Sequence, residues 1–266
     1  MLIVKAGGGP GINWDGLAAD LVEARGREET VLIHGGNAVR DALAARLGVP
    51  VRRVVSPSGV ASVVTDKDAL DVFLMAYPGL ASTGIVAGLR RRGLDAVGLS
   101  GVDGGLWRAK AKREIPVREG DKTKLLRGNR TGRVEAVEAR LLQVLLRAGY
   151  LPVLCAPALD EDGLIVNADN DTAAAATAAA LGAETMVFLF EAPGFLSDPD
   201  DPGSRVAEIP AAEIESRLPS ARGGMARKLI AVSRALARGV RAVYFGDGRA
   251  ARPLRDALAG RGTVFR

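Results

Sequence analysis

One cysteine, Cys155, stands among 266 residues. No intrachain disulfide can form, and its place at the end of an apolar run fits a small buried residue. Histidine is as scarce: His34 is alone, and with no companion ligands a metal-binding set is not expected. It reads as structural. Aromatic residues make up 4%, too few to interleave with basic residues as stacking platforms for single-stranded nucleic acid. No signal peptide precedes the first strand, and no apolar run approaches the length of a membrane span. A soluble chain in the reducing cytoplasm, with neither membrane nor nucleic acid as partner, is the expectation. Gly-Lys-Ser/Thr is missing, which excludes a Walker A loop. Gly-x-Gly-x-x-Gly also fails, because its third glycine would fall at Ile12.

What is present points to an α/β protein. Hydrophobic residues make up 48%, enough for a sizeable core. Short apolar segments at 2–4, 31–33, 153–154 and 186–190 alternate with helix-length patterns. That order predicts an open, mainly parallel sheet covered by helices on both faces. Helices are expected near 66–76 and 80–92 and over 135–148 and 222–238, with a loop through Ser56-Pro57-Ser58-Gly59. A division falls near Asn167: a lobe for the acceptor substrate over 1–166, and a nucleotide lobe over 167–266.

The net charge is +5, unevenly spread. From 108 to 133 the chain carries ten Lys or Arg against Glu114, Glu119 and Asp121, net +7. Such a stretch attracts something acidic, whether nucleic acid, nucleotide or an acidic protein; a solvated, irregular hairpin is the competing reading.

Val4-Lys5-Ala6-Gly7-Gly8-Gly9-Pro10-Gly11 runs from a strand into a glycine turn. Ile33-His34-Gly35-Gly36-Asn37 repeats the device. Turns of this kind let backbone N–H groups face an anion, and a following helix start adds its dipole. A purely structural turn has the same pattern. Asn167-Ala168-Asp169-Asn170-Asp171 opens an Ala-rich helix, either as cap and turn or as an organiser of lysines. Gly223-Gly224-Met225-Ala226-Arg227-Lys228 opens another, and a lysine there opposes the helix dipole. Phosphoryl transfer between two anions needs charge neutralised and donors held in place. Lys5 and Lys228 are candidate charges, Gly7, Gly8, Gly35 and Gly36 candidate donors, and Asp171 a candidate holder of both lysines.

In this order these motifs resemble the amino-acid kinase family, and within it the N-acetylglutamate kinase branch, over essentially the whole chain. The resemblance implies a three-layer αβα sandwich, ATP with Mg²⁺ held mainly through the phosphates, and transfer to a side-chain carboxylate. Lys5, Asp171 and Lys228 would be catalytic, Gly7 and Gly8 would contact ATP phosphate, and Gly35, Gly36, Val63 and Asn167 would face the acceptor. The sequence begins at its first strand, without the helix that accompanies arginine-regulated hexamers, so a homodimer is implied. Val97–Gly104, 127–132, 148–154 and 262–264 resemble the kinases whose substrate is tethered to a small acidic amino-group carrier protein. Lys110, Lys112 and Arg113 would then dock that carrier. A kinase for the free N-acetylated amino acid, or a non-catalytic nucleotide- or carrier-binding homologue, remains an alternative.

One position departs from the resemblance. The family usually places a carboxylate-clamping arginine two residues before a threonine; here Ser62-Val63-Val64-Thr65 puts valine there. Valine cannot make that bidentate contact, so Arg52, Arg53 or Lys67 is expected to replace it, or the acceptor differs. Phe190-Glu191 also departs from the usual polar pair.

Overall fold

The computed structural model describes residues 1–57, 61–119, 122–221 and 223–266. It opens with two strand–turn–helix units. β1 (Leu2–Ala6) leads to α1 (Trp14–Ala24), and β2 (Thr30–His34) leads to α2 (Asn37–Leu47). Every residue of both strands is buried, as expected for parallel strands covered on two faces. A short hairpin follows, β3 (Arg53–Val55) with β4 (Ala61–Val63), its two strands flanking the expected loop. Ser58 and Gly59 of that loop lie outside the described residues.

The two helices expected near 66–76 and 80–92 are one run. α3 (Lys67–Leu74), a π-helical segment (Met75–Ser82) and α4 (Thr83–Arg91) are continuous. Pro78 lacks the N–H of an ordinary turn, and the wide-turned segment accommodates it. This corrects the expectation about apolar runs. By length and composition Lys67–Arg91 could cross a membrane, and 33% of its most apolar window is buried inside the fold. Leu70, Phe73, Ala76 and Tyr77 belong to the main core.

β5 (Ala96–Ser100) precedes a long hairpin, β6 (Trp107–Glu119) and β7 (Lys122–Val137). The basic hairpin expected here is thus present, with register shifts between Arg108 and Ala109 and between Lys112 and Glu114, and the helix expected from 135 is corrected. Alternate residues Trp107, Ala109 and Val134 are buried, so the segment is ordered as strand, and helix α5 (Ala139–Arg147) begins only after Glu138 caps it. Asp121, counted among the acids of this stretch, lies outside the described residues. After β8 (Leu151–Cys155), strands β9 (Ala158–Leu159) and β10 (Ile165–Ala168) close with β6 and β7 into a four-stranded ring. The rest comprises α6 (Asn170–Leu181), β11 (Thr185–Phe190), β12 (Glu208–Ile209), α7 (Ile214–Arg217), α8 (Gly224–Ala237), β13 (Ala242–Asp247), α9 (Pro253–Leu258) and β14 (Thr263–Phe265). Arg222, in the expected start of α8, lies outside the described residues.

The main sheet has eight strands in the order β12-β14-β13-β11-β1-β2-β8-β5. Among the described residues of this sheet, β13 and β14 pair antiparallel and the other neighbours pair parallel. Ile3, Val31 and Ile33 face one core, while Leu2, Val4 and Leu32 face another. That alternation makes three layers, an αβα sandwich as expected. Because β11, β1 and β2 are neighbours and parallel, their carboxyl ends share one edge, where open sheets receive ligands.

Candidate active site

Lys5 lies near the end of β1, Asp171 in the first turn of α6, and Lys228 early in α8. Nζ of Lys5 is 2.5 Å from Oδ1 of Asp171, and Nζ of Lys228 is 2.8 Å from Oδ2. The three side chains are 8%, 7% and 15% exposed, so the ions meet largely out of water. Burial works against the Asp171 carboxylate, yet the charges of Lys5 and Lys228 outweigh it and hold its pKa well below the usual range. Burial also lowers the pKa of Lys5; Asp171 opposes that and Lys228 adds to it. Two cations on one anion leave a net positive charge at the sheet edge.

Local interactions set this geometry. Asp169 caps α6 by accepting from the Thr172 N–H at 2.9 Å, and Asn170 accepts from the Ala156 N–H at 2.9 Å. The acid-and-amide cluster thus divides its work: two members fix the helix, and Asp171 takes the lysines. Ala173 to Ala176 are buried, their small side chains letting α6 sit close to its neighbours. Lys228 lies 5.4 Å from the centre of the Phe190 ring, a cation–π contact that helps hold its stem.

The glycine turns meet back to back. A Cβ on Gly8 would lie 2.4 Å from the Gly36 nitrogen, and one on Gly35 would lie 2.7 Å from the Gly8 nitrogen. No side chain fits between them. Two expected donors are corrected: Gly7 donates its N–H to Leu189 and Gly35 to Ala6, so the sheet has already used both. Glu191, by contrast, reaches over the first turn and accepts from the Gly11 N–H at 2.6 Å. An anionic group already rests on this turn. His34 is fully buried, with Nδ1 3.0 Å from the Gly35 carbonyl and no partner for Nε2 among the described residues. Burial, with a contribution from Lys5, lowers its pKa to about 4. Cys155 is buried too, and its thiol is pushed up to about 12.

Val63 and Asn167 line one narrow, mostly apolar cleft with Thr65, Val72, Phe73 and Arg40. Asn167 donates to the Thr65 hydroxyl at 3.0 Å. Asn129 is buried behind them and donates to the Lys112 carbonyl and to Thr131, both at 2.6 Å. The hairpin is thereby tied to the cleft. The cations expected to replace an arginine at Val63 are not in its lining. Arg53 pairs with Asp41 and Lys67 with Asp71, both largely exposed, and Arg52 is exposed. Arg40 was not foreseen. Its signal was helical register, since it shares the buried face of α2 with Ala44.

On the hairpin, Lys110 and Lys112 are exposed and enter no ion pair among the described residues. Arg113 is committed elsewhere: it pairs with Asp162 in a close contact and lies 3.6 Å from Asp160.

The model of the "Amino acid kinase family" matches residues 1–247. The chain belongs to that family. It is 45% identical over 265 residues, 99% of this chain and 91% of the other, to the [LysW]-aminoadipate kinase of Deinococcus radiodurans. It is 41% identical over the full length of both chains to the protein of the same name from Thermus thermophilus. The acetylglutamate kinase of Methanopyrus kandleri is 36% identical, again over both full lengths. Among solved structures, the carbamate kinase of Giardia lamblia bound to AMP-PNP superposes with a TM-score of 0.68 at 14% identity, covering 99% of this chain and 98% of that one. That likeness shows the shared fold.

Proposed function

We propose that this protein is an ATP-dependent kinase for a side-chain carboxylate, its acceptor being α-aminoadipate or glutamate carried on a LysW-type amino-group carrier protein. The observation that carries the reading is the Lys5–Asp171–Lys228 bridge at the carboxyl ends of β1 and β11. The names of the full-length relatives support the acceptor. Residues 1–166 form the acceptor lobe and 167–266 the ATP lobe. Sheet order supports that division, since β12, β14, β13 and β11 fall on one side of β1 and β2, β8 and β5 on the other.

An oxygen of the acceptor carboxylate forms a bond to the γ-phosphorus as the bond to the bridging oxygen breaks, and ADP leaves with that electron pair. The attacking group is ionised at neutral pH, so no general base is needed. The cost lies in bringing two anions together. Lys5 and Lys228, held by Asp171, neutralise charge on the transferring group, while backbone N–H groups around Gly8 and Gly36 receive phosphate oxygens. Mg²⁺ would offset phosphate charge. Among the described residues no group of three acidic, histidine or cysteine side chains gathers, and Asp171 is engaged by the two lysines.

The basic face of the hairpin, Lys110 and Lys112 first, docks the acidic carrier. A homodimer in the cytoplasm accompanies this reading through the family resemblance.

The test is acyl-phosphate formation from MgATP, trapped with hydroxylamine. Hydroxamate should form with carrier-linked aminoadipate or glutamate and barely with free N-acetylglutamate. Robust turnover of the free compound would make the protein an acetylglutamate kinase. Tight ATP binding with no transfer to any acceptor would make it a non-catalytic homologue.

A further inference from the structure

We propose that Arg40 receives the α-carboxylate of the acceptor, supplying from α2 the guanidinium that Val63 does not supply from β4. This rests on the kinase reading above.

The two residues line the same cleft, with Thr65 and Asn167 as its other polar members. The other described residues of the lining are apolar, among them Val49, Val51, Val72 and Phe73. The cleft is narrow, about 20 Å³, so an acceptor must part its walls; apolar walls can pack on methylenes but cannot hold a carboxylate, whose burial demands a charged or hydrogen-bonding partner. Arg40 is the cation in this lining, and it is unusually buried for an arginine, at 9% exposed.

Its existing partner leaves it incompletely satisfied. Both Nε and Nη2 donate to a single oxygen, Oδ1 of the adjacent Asp41, at 2.9 and 2.7 Å. The Asp41 side chain is 40% exposed and shares its other oxygen with Arg53. A guanidinium carries five N–H donors, and no further acceptor for Arg40 appears among the described residues. A second carboxylate can therefore join without displacing the first.

Placement agrees with the reaction. Gly36 caps α2, and the Arg40 N–H donates to the Gly36 carbonyl at 2.9 Å. One helical turn, roughly 6 Å along the axis, thus separates the glycine turn from Arg40. That is the scale of a short acidic side chain, anchored at one end and presented to phosphate at the other. Thr65, another polar member of the lining, donates its N–H to the buried Asn129 at 3.4 Å.

The experiment compares steady-state kinetics of Arg40→Met, Arg40→Lys, and Arg40→Met combined with Val63→Arg, each with its melting temperature. Arg40→Met should raise the acceptor KM at least about 10-fold, the loss expected for a charge-assisted contact, with kcat and the ATP Kd little changed. Arg40→Lys should fall between. The double variant should recover much of the lost KM, because the guanidinium returns from the other wall. An unchanged acceptor KM in Arg40→Met overturns the proposal. So does a loss shared equally by ATP binding and without rescue by Val63→Arg, which would mark a packing role. If Arg40→Met does not fold, Arg40→Lys decides alone, and a wild-type KM overturns the proposal. Wild-type protein that phosphorylates no acceptor refutes the kinase reading itself; active wild type with an indifferent Arg40 refutes only this assignment.

Discussion

Lys5 and Lys228 occupy opposite oxygens of one carboxylate, Oδ1 and Oδ2 of Asp171, at 2.5 and 2.8 Å. Neither ammonium could remain this buried beside the other without that anion. Removing one member of a buried ionic group costs about 3–5 kcal/mol, chiefly because an unmatched charge is left behind. Asp171→Ala should therefore lower unfolding free energy on that scale in urea titration. A loss under 1 kcal/mol would show that the lysines simply swing out to water.

The two lysines should affect rate more than binding. Lys5→Ala or Lys228→Ala is expected to reduce kcat about 10²–10³-fold, the typical loss for one stabiliser of developing charge. ATP affinity, from equilibrium titration, should change far less. Near-normal turnover in either variant would remove the bridge from the active site.

His34 makes folding acid-sensitive. Its pKa is 6.5 when unfolded and about 4 in the fold, so between those values the unfolded chain binds the extra proton. Stability is then full above about pH 6.5 and falls as pH drops toward 4, by about 3 kcal/mol in all. Asp171, with its pKa held well below the usual range, adds its own loss only in stronger acid. Urea midpoints for wild type and His34→Asn at pH 7.5 and 5 check this: the wild type should lose markedly more stability, and parallel losses would be contrary.

Lys110→Glu with Lys112→Glu should slow association with an acidic carrier, and the deficit should fade as salt screens it. Reversing Arg113 is a different experiment, since it would also break the pairing with Asp160 and Asp162 that ties the hairpin to the neighbouring turn. Carrier association in the double variant as fast as in wild type at low salt would mean that these lysines dock nothing.

Glu191 rests on the Gly11 N–H, beside the turn expected to cradle polyphosphate. Glu191→Ala should tighten ATP binding several-fold by removing a carboxylate that repels phosphate, with the acceptor KM unchanged. Weaker ATP binding would instead make Glu191 a direct nucleotide contact.

The meeting of Lys5, Asp171 and Lys228 was legible because its signals are local. A strand, a glycine pair and a helix start can be read from adjacent residues, and Lys5, Asp171 and Lys228 each sit beside such a start. The sandwich followed from strand–helix alternation. Features made by distant pairing were harder to read. The hairpin of β6 and β7 is so basic that charge hid its alternation of buried Trp107 and Ala109 with exposed Arg108 and Lys110. Pro78 implied a helix break that a π-helical turn absorbs. Arg40 shares its helical register with Ala44, but which face of α2 is buried is defined only when the helix packs, so that spacing alone did not separate it from surface arginines.

Where Gly8 presses on Gly35 and Gly36, backbone meets backbone with no side chain to yield. The two turns are consequently geared together. A phosphate that shifts the first must also shift the start of α2, and with it the arginine one turn further on. Nucleotide and acceptor should thus feel each other's arrival through a rigid linkage, and replacing Gly8 by alanine would strip the teeth from that gear rather than merely fill a gap.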